Sequence, residues 1–461
     1  MAHRRNVELA AAIREAGWSQ EQTAQRFVRV AVESGARELA GTTRSHINQW
    51  VRGVRPSGRA PRILCETLSR GLRRPVSLAE IGLTSGPAAM MAPQWAADPL
   101  TVLVDLGGMD VDIERRQMLA SSAYSVAGLL LPAGSWWEEV PERARTRPPA
   151  SPRTTSAEDV DSVREMVAFF SRRDQRRGGG DGRAALVAYL RTDITAYLSG
   201  RFASDEVRRE MLTAAGEAAY LAGWTAFDAS EHGLAQHYFT LAVRLAAEAE
   251  DGPLAGHILR AMAHQAVDLG HPRQAVDLAT ASLDHKRYGS ASPREKALLG
   301  VVHARSLAAA GDKQEARAAL RRAESDLSGT APGDDEPGRV WFFTEASLAH
   351  ETACTLRDLG DLRGAEAAFT HSVRTRGQQA FARTHSVTLG YLGAVQAQRG
   401  ALDAACATWA QALDAMGGIH SGRARQTVVQ MRRSLSPFRG RGNSTTAALD
   451  ARARSVLKDV G

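Results

Sequence analysis

The apolar residues of this chain recur every three to four positions over most of its length, in alanine-rich stretches. This spacing is typical of helices that bury one face, and the sequence lacks the sustained alternation of β-branched and polar residues that strands show. The pattern therefore predicts an all-α protein. Three stretches rich in proline or glycine interrupt it and predict loops or linkers: 141–152, 178–182 and 329–338.

The first two helices have recognisable ends. Residues 6–16 place apolar side chains on one face, and Gly17 predicts the end of this helix. Ser19, followed three residues later by Gln22, matches a capping box, in which each residue caps the other's backbone. A second helix is therefore predicted to begin at this point.

A third predicted helix follows Thr43 and ends at Gly53, with Ile47 and Trp50 spaced to face a core. Its opposite face is polar. Arginine can form two hydrogen bonds with guanine, and asparagine or glutamine can do so with adenine. The residues predicted to contact DNA are Gln20, Thr43, Arg44, Ser45, Asn48, Gln49, Arg52 and Arg55.

This unit resembles the N-terminal helix-turn-helix of repressor-like regulators, whose recognition helix ends in Trp-x-x-Gly-x-x-Pro, here Trp50, Gly53 and Pro56. Residues 62–83 are similar to the closing helix of actinomycete regulators of the NsdA type. The resemblance implies a cytoplasmic transcriptional regulator or repressor of differentiation or secondary metabolism, with a tetratricopeptide-like C-terminal region. The sign of regulation and the possibility of a homodimer are left open.

Two further segments, 111–119 and 163–190, are similar to the connector of the same regulators. One departure concerns residues 27–40, which lie where a compact repressor has a turn of a few residues. The alternative for the whole N-terminal unit is a basic helical bundle that binds protein rather than DNA.

The clearest internal order is a set of alanines spaced 40, 41, 49 and 40 residues apart. Small residues stand twelve positions before and seven after each alanine, a turn residue stands five before, and a mostly bulky residue stands four after. This is the packing pattern of tetratricopeptide helix hairpins, although the period exceeds the usual value of about 34. Another class of helix-pair repeat stays open. The anchors are Ala235, Ala275, Ala316, Ala365 and Ala405.

The first helices of stacked hairpins line a concave face. Aromatic and basic residues on that face suit a peptide, small-molecule or protein effector, and the alternative is that they are solvated without a ligand. The residues predicted for this groove are Tyr220, Trp224, Arg260, His264, Arg305 and His350.

Charge divides the chain into three parts. The net charge is +7 overall, but residues 1–83 carry fourteen Arg and seven Glu, and residues 421–461 carry nine basic and two acidic residues. The middle is therefore acidic. Basic ends favour a polyanion as partner of the first segment. The last segment is predicted to be a solvated capping helix and tail, with Arg423, Arg425, Arg432 and Arg433 on its surface.

The sequence favours no catalytic, cofactor or metal site. His350 and Cys354 share one helix face with Glu351 between them, but the second histidine of a zincin motif is missing. The three cysteines fall in no paired spacing, and no apolar run approaches the roughly 18 residues of a membrane span.

These observations predict four segments: a helix-turn-helix at 1–83, a connector at 84–210, repeats at 211–420 and a basic tail at 421–461. The leading hypothesis is a DNA-binding transcriptional regulator whose repeats receive a signal. The alternative is a repeat adaptor that binds proteins and not DNA.

Overall fold

The computed structural model describes residues 5–34, 36–72, 76, 78, 80–83, 95, 97–111, 124–132, 134–331, 333–438 and 444–459. The prediction of an all-α protein is confirmed. Strand structure in the described residues is limited to two parallel pairs, Thr154 with Arg201 and Thr155 with Phe202. Most of residues 84–99, at the start of the predicted connector, and most of the 111–119 segment lie outside the described residues.

The N-terminal unit has a core of its own, built from buried apolar residues between Leu9 and Ile81. Ser19, with Gln22, caps the second helix, as the sequence predicts, whereas Asn6 caps the first helix rather than beginning it. A short 3-10 turn at Arg37–Leu39 precedes the third helix. The helices are α1 Val7–Glu15, α2 Gln20–Glu33, α3 Arg44–Val51 and α4 Ala60–Leu72.

The second helix is longer than a compact repressor would require. It continues through Phe27 to Glu33, so half of the segment 27–40 is helical rather than a connecting loop. Phe27 explains the extension, because its fully buried ring packs edge-on against Trp50 with ring centroids 5.2 Å apart. The aromatic pair joins α2 to α3 and fixes the direction in which α3 leaves the core.

The connector differs from the predicted loops at two places. Pro141 lies inside a helix, so the linker expected at 141–152 shortens to the residues that follow Arg145. A π-helical turn, Leu190–Ile194, joins α8 to α9. A 3-10 turn spans Ala127–Leu129, and the remaining elements are α5 Pro99–Val111, α6 Trp136–Arg145, β1 Thr154–Thr155, α7 Ala157–Arg177, α8 Arg183–Tyr189, α9 Thr195–Leu198 and β2 Arg201–Phe202.

Five antiparallel helix hairpins follow, each packed on the next. They pair α10 Asp205–Asp228 with α11 His232–Glu248, α12 Gly252–Asp268 with α13 Pro272–Ser282, α15 Pro293–Ala310 with α16 Lys313–Ser328, α17 Glu345–Asp358 with α18 Leu362–Thr375, and α19 Ala382–Gln398 with α20 Leu402–Ala415. The short α14, His285–Tyr288, lies between the second and third hairpins.

The repeat positions behave as their chemistry predicts. All five anchor alanines are fully buried in the second helix of a hairpin. The residue five before each anchor has a positive φ, including the non-glycine Ser230 at 65°. At the small position of the first and fifth hairpins, an added Cβ at Gly223 or Gly393 would meet the ring of Phe239 or Trp409. Small residues therefore set the close approach of the two helices.

The chain ends in two helices, α21 Gly422–Leu435 and α22 Ser444–Asp459, with a 3-10 turn at Ser436–Phe438 between them. Both pack on the last hairpin, and their apolar residues extend its core. The loop predicted at 329–338 leads into a 3-10 turn, Gly338–Val340, before α17. None of the described helices combines the length and hydropathy that crossing a bilayer requires.

Candidate functional site

The third helix is held by its apolar face and presents its polar face outward. The backbone N–H of Thr43 donates a 3.0 Å hydrogen bond to Nδ1 of His46, which closes the first turn. Ile47, Trp50 and Val51 are buried against the N-terminal core. Burial of these three residues leaves the other side of α3 facing solvent.

The predicted DNA contacts all reach the surface of the N-terminal unit. Gln20 and Asn48 are partly buried, and the others are exposed: Thr43, Arg44, Ser45, Gln49, Arg52 and Arg55. Within the described residues, the side chains of Arg44, Arg52 and Arg55 form no hydrogen bond or ion pair. Their charges are therefore available to an external anion.

Arg59, a further basic residue of this region, has an internal role. Its Nη2 donates a 2.5 Å hydrogen bond to the carbonyl of Ser34, and its Nη1 lies 3.8 Å from Glu38. Arg59 thus ties the end of α2 and the following turn to the start of α4.

The N-terminal unit meets the repeats through residues 124–129. Glu66 of α4 accepts hydrogen bonds from Arg70 and from the backbone N–H of Val126, both at 2.7 Å. The ring of Tyr124 stacks on His271 at the start of α13, with centroids 5.7 Å apart. Burial raises the pKa of Glu66, and Arg70 opposes that shift. This seam of polar groups physically connects the two regions.

The six predicted groove residues lie on one inner surface of the repeats, and most of them are buried there. Five of them are less than a tenth exposed, and only Trp224 is more accessible. Arg260 donates to the hydroxyl of Tyr220 at 3.0 Å, and Arg305 lies 3.1 Å from Nε2 of His264. The cavity beside Trp224, Arg260, His264 and His350 measures only about 70 Å³. That these six residues line a ligand groove stays a prediction.

Charge compensation explains how this surface is buried. Arg305 pairs with Asp268 at 2.6 Å and with Glu351 at 3.2 Å. Burial, with the adjacent Arg305 guanidinium, lowers the pKa of His264 to about 3. Burial also lowers the pKa of His350 to about 3. Both imidazoles are therefore neutral at ordinary pH.

Arg423 departs from the predicted solvated tail. Its side chain is 12% exposed and lies 3.7 Å from Asp268. Its guanidinium sits 5.3 Å from the ring centre of Phe227 and 5.9 Å from that of Trp224. A basic side chain enters this interior because a carboxylate and two aromatic faces compensate its lost hydration.

The other three tail arginines stay nearer the surface. Arg425 donates to the carbonyl of Leu457, Arg432 pairs with Asp450 at 2.8 Å, and Arg433 is exposed.

The glycine segment 178–182, which the sequence predicts to be a loop or linker, forms a packed junction. The N–H of Gly179 donates to Asp228, and the N–H of Gly180 donates to the carbonyl of His420. An added Cβ at Gly179 would meet the backbone of Thr225. Glycine is therefore required by close backbone approach, and the segment joins the first hairpin to the end of the last one.

Arg383, at the start of α19, completes this junction. It pairs with Asp174 at 3.0 Å and Asp228 at 3.3 Å, and all three side chains are at most 3% exposed. The ion pairs link the connector, the first hairpin and the fifth hairpin. No local spacing in the sequence connects residues so far apart, so the junction was not predicted.

A larger cavity of about 950 Å³ lies between α7, α10 and the segment 335–342. That segment begins within the predicted 329–338 loop, which accounts for the 49-residue step between anchors. Arg339 anchors it through Glu295 at 2.7 Å and Glu217 at 3.2 Å, and Trp341 donates to Ser171 at 2.9 Å. Of the predicted groove residues, Tyr220 and Trp224 line this cavity.

The histidine and cysteine of the rejected zincin-like motif are in contact. Nε2 of His350 lies 3.8 Å from Sγ of Cys354, and Nδ1 lies 2.9 Å from the hydroxyl of Thr388. Burial raises the pKa of Cys354 to about 11, which keeps the thiol protonated and poorly nucleophilic. Across the described residues, no group of three or more potential ligands is arranged to hold a metal ion.

Comparison with known proteins gives two findings. Residues 9–84 match the family model described as the SP15 N-terminal domain. The chain is similar to the solved structure of a Rap protein complexed with competence and sporulation factor, at 13% identity and a TM-score of 0.38, over 66% of this chain and 98% of that chain. Among curated proteins, none matches this chain significantly.

Proposed function

We propose that this protein is a sequence-specific DNA-binding transcriptional regulator in which the repeats receive an effector. The observation that carries the proposal is the polar face of α3. Its apolar residues are fixed in the N-terminal core, while Arg44 and Arg52 stand exposed without a partner in the described part of the chain. A charged helix face without internal compensation suits the phosphates and base edges of double-stranded DNA.

The chemistry divides the predicted contacts into two sets. Arg44 and Ser45 begin α3, and Asn48 and Gln49 follow one turn later; side chains at these positions of a recognition helix read base edges in the major groove. Thr43, Arg52, Arg55 and the start of α2 at Gln20 are assigned to phosphate oxygens. The first set would determine specificity, and the second would provide sequence-independent affinity.

The repeats are assigned the sensing role. An effector can shift DNA binding only if its affinity differs between two states of the protein. The seam of Glu66, Arg70, Val126, Tyr124 and His271 is the physical connection through which such a difference would pass. The resemblance to NsdA-type regulators supports a role in differentiation or secondary metabolism.

Mobility-shift assays with genomic fragments, at several salt concentrations, test DNA binding by the full chain. The double variant Arg44→Ala/Asn48→Ala removes two base-reading side chains and should lose about 1–3 kcal/mol of binding energy per lost bidentate contact. Its melting temperature should not change, because both side chains lie outside the core.

The matched control is Arg317→Ala/Gln314→Ala on the exposed face of α16. It removes the same charge and a comparable amide without touching α3. Equal weakening by both double variants would contradict a recognition role for α3. Absence of any salt-sensitive DNA binding would reject the proposal as a whole.

A second candidate function is a repeat adaptor that binds a partner without binding DNA. The 950 Å³ cavity favours this candidate, because a site of that size beside the first hairpin can bind a partner group without any contact to DNA. Retained partner binding in a chain that shows no DNA binding would support it.

A further inference from the structure

The cavity of about 950 Å³ combines an apolar floor with an acidic wall. Tyr220, Trp224 and Phe342 supply aromatic surface, and Val167 and Leu221 add aliphatic surface. Its volume of about 950 Å³ falls within the range of sites that enclose a small organic ligand.

The wall carries an excess of negative charge. Eight carboxylates and three guanidinium groups line the cavity. One of the three cations, Arg339, is already paired with Glu217 and Glu295. Glu165 and Asp335 are exposed and form no ion pair within the described residues. Three cations from outside the lining also pair with wall carboxylates: Arg383 with Asp174, Arg145 with Glu250 and Arg294 with Glu336. With these three included, the eight carboxylates still outnumber the six guanidinium groups.

A buried carboxylate at the cavity provides an independent sign of a ligand. Asp174 is 2% exposed, and its Oδ2 accepts a 3.0 Å hydrogen bond from Arg383. Its Oδ1 is buried and has no hydrogen-bond partner among the residues that the structure describes. A buried acceptor without a partner is costly, because it has lost its hydration without compensation. A donor from a bound ligand would satisfy it.

We propose that this cavity binds an organic cation, namely an ammonium or guanidinium group carried on an apolar or aromatic body. The cation would donate to Asp174 and be attracted by the acidic wall, while the apolar body would lie on the aromatic floor. This acidic site differs in charge from the predicted groove, which combines aromatic with basic residues. The assignment deepens the effector role in the proposed function and rests on it for its regulatory meaning.

The cation could belong to a peptide or to a free amine, and calorimetry of the full chain without DNA distinguishes the two. The probes are phenylalanyl-arginine amide and spermidine, with N-acetylphenylalanylglutamate as the anionic comparison. We expect the dipeptide amide, which also has an aromatic ring, to bind most tightly if the source is a peptide. Tighter binding of spermidine would identify a polyamine-like ligand.

Two variants locate the site. Glu165→Gln/Asp335→Asn changes two exposed carboxylates of the wall and should weaken cation binding about fivefold, more at low salt. Asp174→Asn should weaken cation binding about tenfold or more. If Asp174→Asn fails to fold, the double variant of exposed carboxylates still tests the site, because its melting temperature should not change. Glu324→Gln on exposed α16 is the control.

No measurable binding of either cation, equal binding of the anion, or equal weakening by Glu324→Gln would overturn the cation site. These outcomes are separable from failure of the proposed function. Cation binding that leaves DNA affinity unchanged would reject the regulatory link alone, and the α3 variants test DNA binding without any cation.

Discussion

The exposed face of α3 and the buried interior of the connector and repeats use arginine in opposite ways. Arg44 and Arg52 stand exposed at α3 with no partner in the described residues. Arg183 of the connector and Arg305 and Arg383 of the repeats are almost fully buried, and each lies between two carboxylates. The same side chain thus holds the connector and the repeats together internally, whereas at α3 it is left available to an external anion. Net charge alone does not separate these roles, whereas the position of the partner does.

The largest expected effect comes from removing a buried cation. Arg383→Met leaves Asp174 and Asp228 facing each other without compensation, which should cost about 3–5 kcal/mol of unfolding free energy. Urea denaturation measures this loss. Arg317→Met, on the exposed face of α16, should change stability by less than about 0.5 kcal/mol. Equal small effects of the two variants would contradict the view that Arg383 stabilises the junction of the connector with the first and fifth hairpins.

The local packing of the repeats was predictable from the sequence, whereas the junction between Arg383 and Asp174 was not. The anchor alanines, the turn residues with positive φ and the bulky Phe239 and Trp409 follow from contacts within a hairpin, which repeat at a fixed spacing. The Arg383–Asp174 pair joins residues 209 positions apart. Such a contact depends on the accumulated curvature of all the hairpins, which no local pattern specifies.

The exposed face of α3 and the sites in the repeats show the same division between features that local spacing predicts and features that depend on long-range packing. The exposed face of α3 follows from helical period, because Ile47 and Trp50 determine which side is buried. The predicted groove residues share a surface for the same reason. The burial of these groove residues by Arg423 depends on where α21 packs against the repeats. The acidic cavity depends on where the 335–342 segment lies against α7 and α10.

The buried histidines should make the repeats sensitive to acid. The folded-state pKa of His264 is lowered to about 3, so the unfolded chain binds a proton more readily. Stability from keeping His264 neutral is therefore full above its ordinary pKa and is lost as pH falls toward the folded value. Between pH 6.5 and 4.5 this amounts to about 2 kcal/mol.

Denaturation of the variant His264→Gln across that pH range measures this contribution. The variant should lose less stability than the parent as pH falls, whatever its stability at neutral pH. His285→Gln, in the exposed α14, should keep the parental pH dependence. Parallel pH profiles for the parent and His264→Gln would contradict a neutral buried imidazole.

A methyl group tests the tight seam within a hairpin. In Gly393→Ala the new Cβ would lie 2.5 Å from two atoms of the Trp409 indole, which is 1% exposed and donates to Gly390. The indole has little space to move, so we expect a loss of about 1–3 kcal/mol. Gly108→Ala, in α5 with no neighbour within 4 Å of the new Cβ, should be neutral or slightly stabilising. Destabilisation by both changes would indicate a backbone effect.

The smallest effect is expected on the N-terminal side of the comparison. Arg52 is exposed at the end of α3, so Arg52→Ala should leave the urea midpoint unchanged. If its guanidinium contacts a phosphate, the variant should bind all DNA sequences more weakly by a similar factor. The slope of log affinity against log salt should fall by about one. A change in sequence preference with an unchanged slope would instead place Arg52 at a base edge, and unchanged affinity would remove it from the DNA interface. Either result would redefine which exposed arginines of α3 need an external anion.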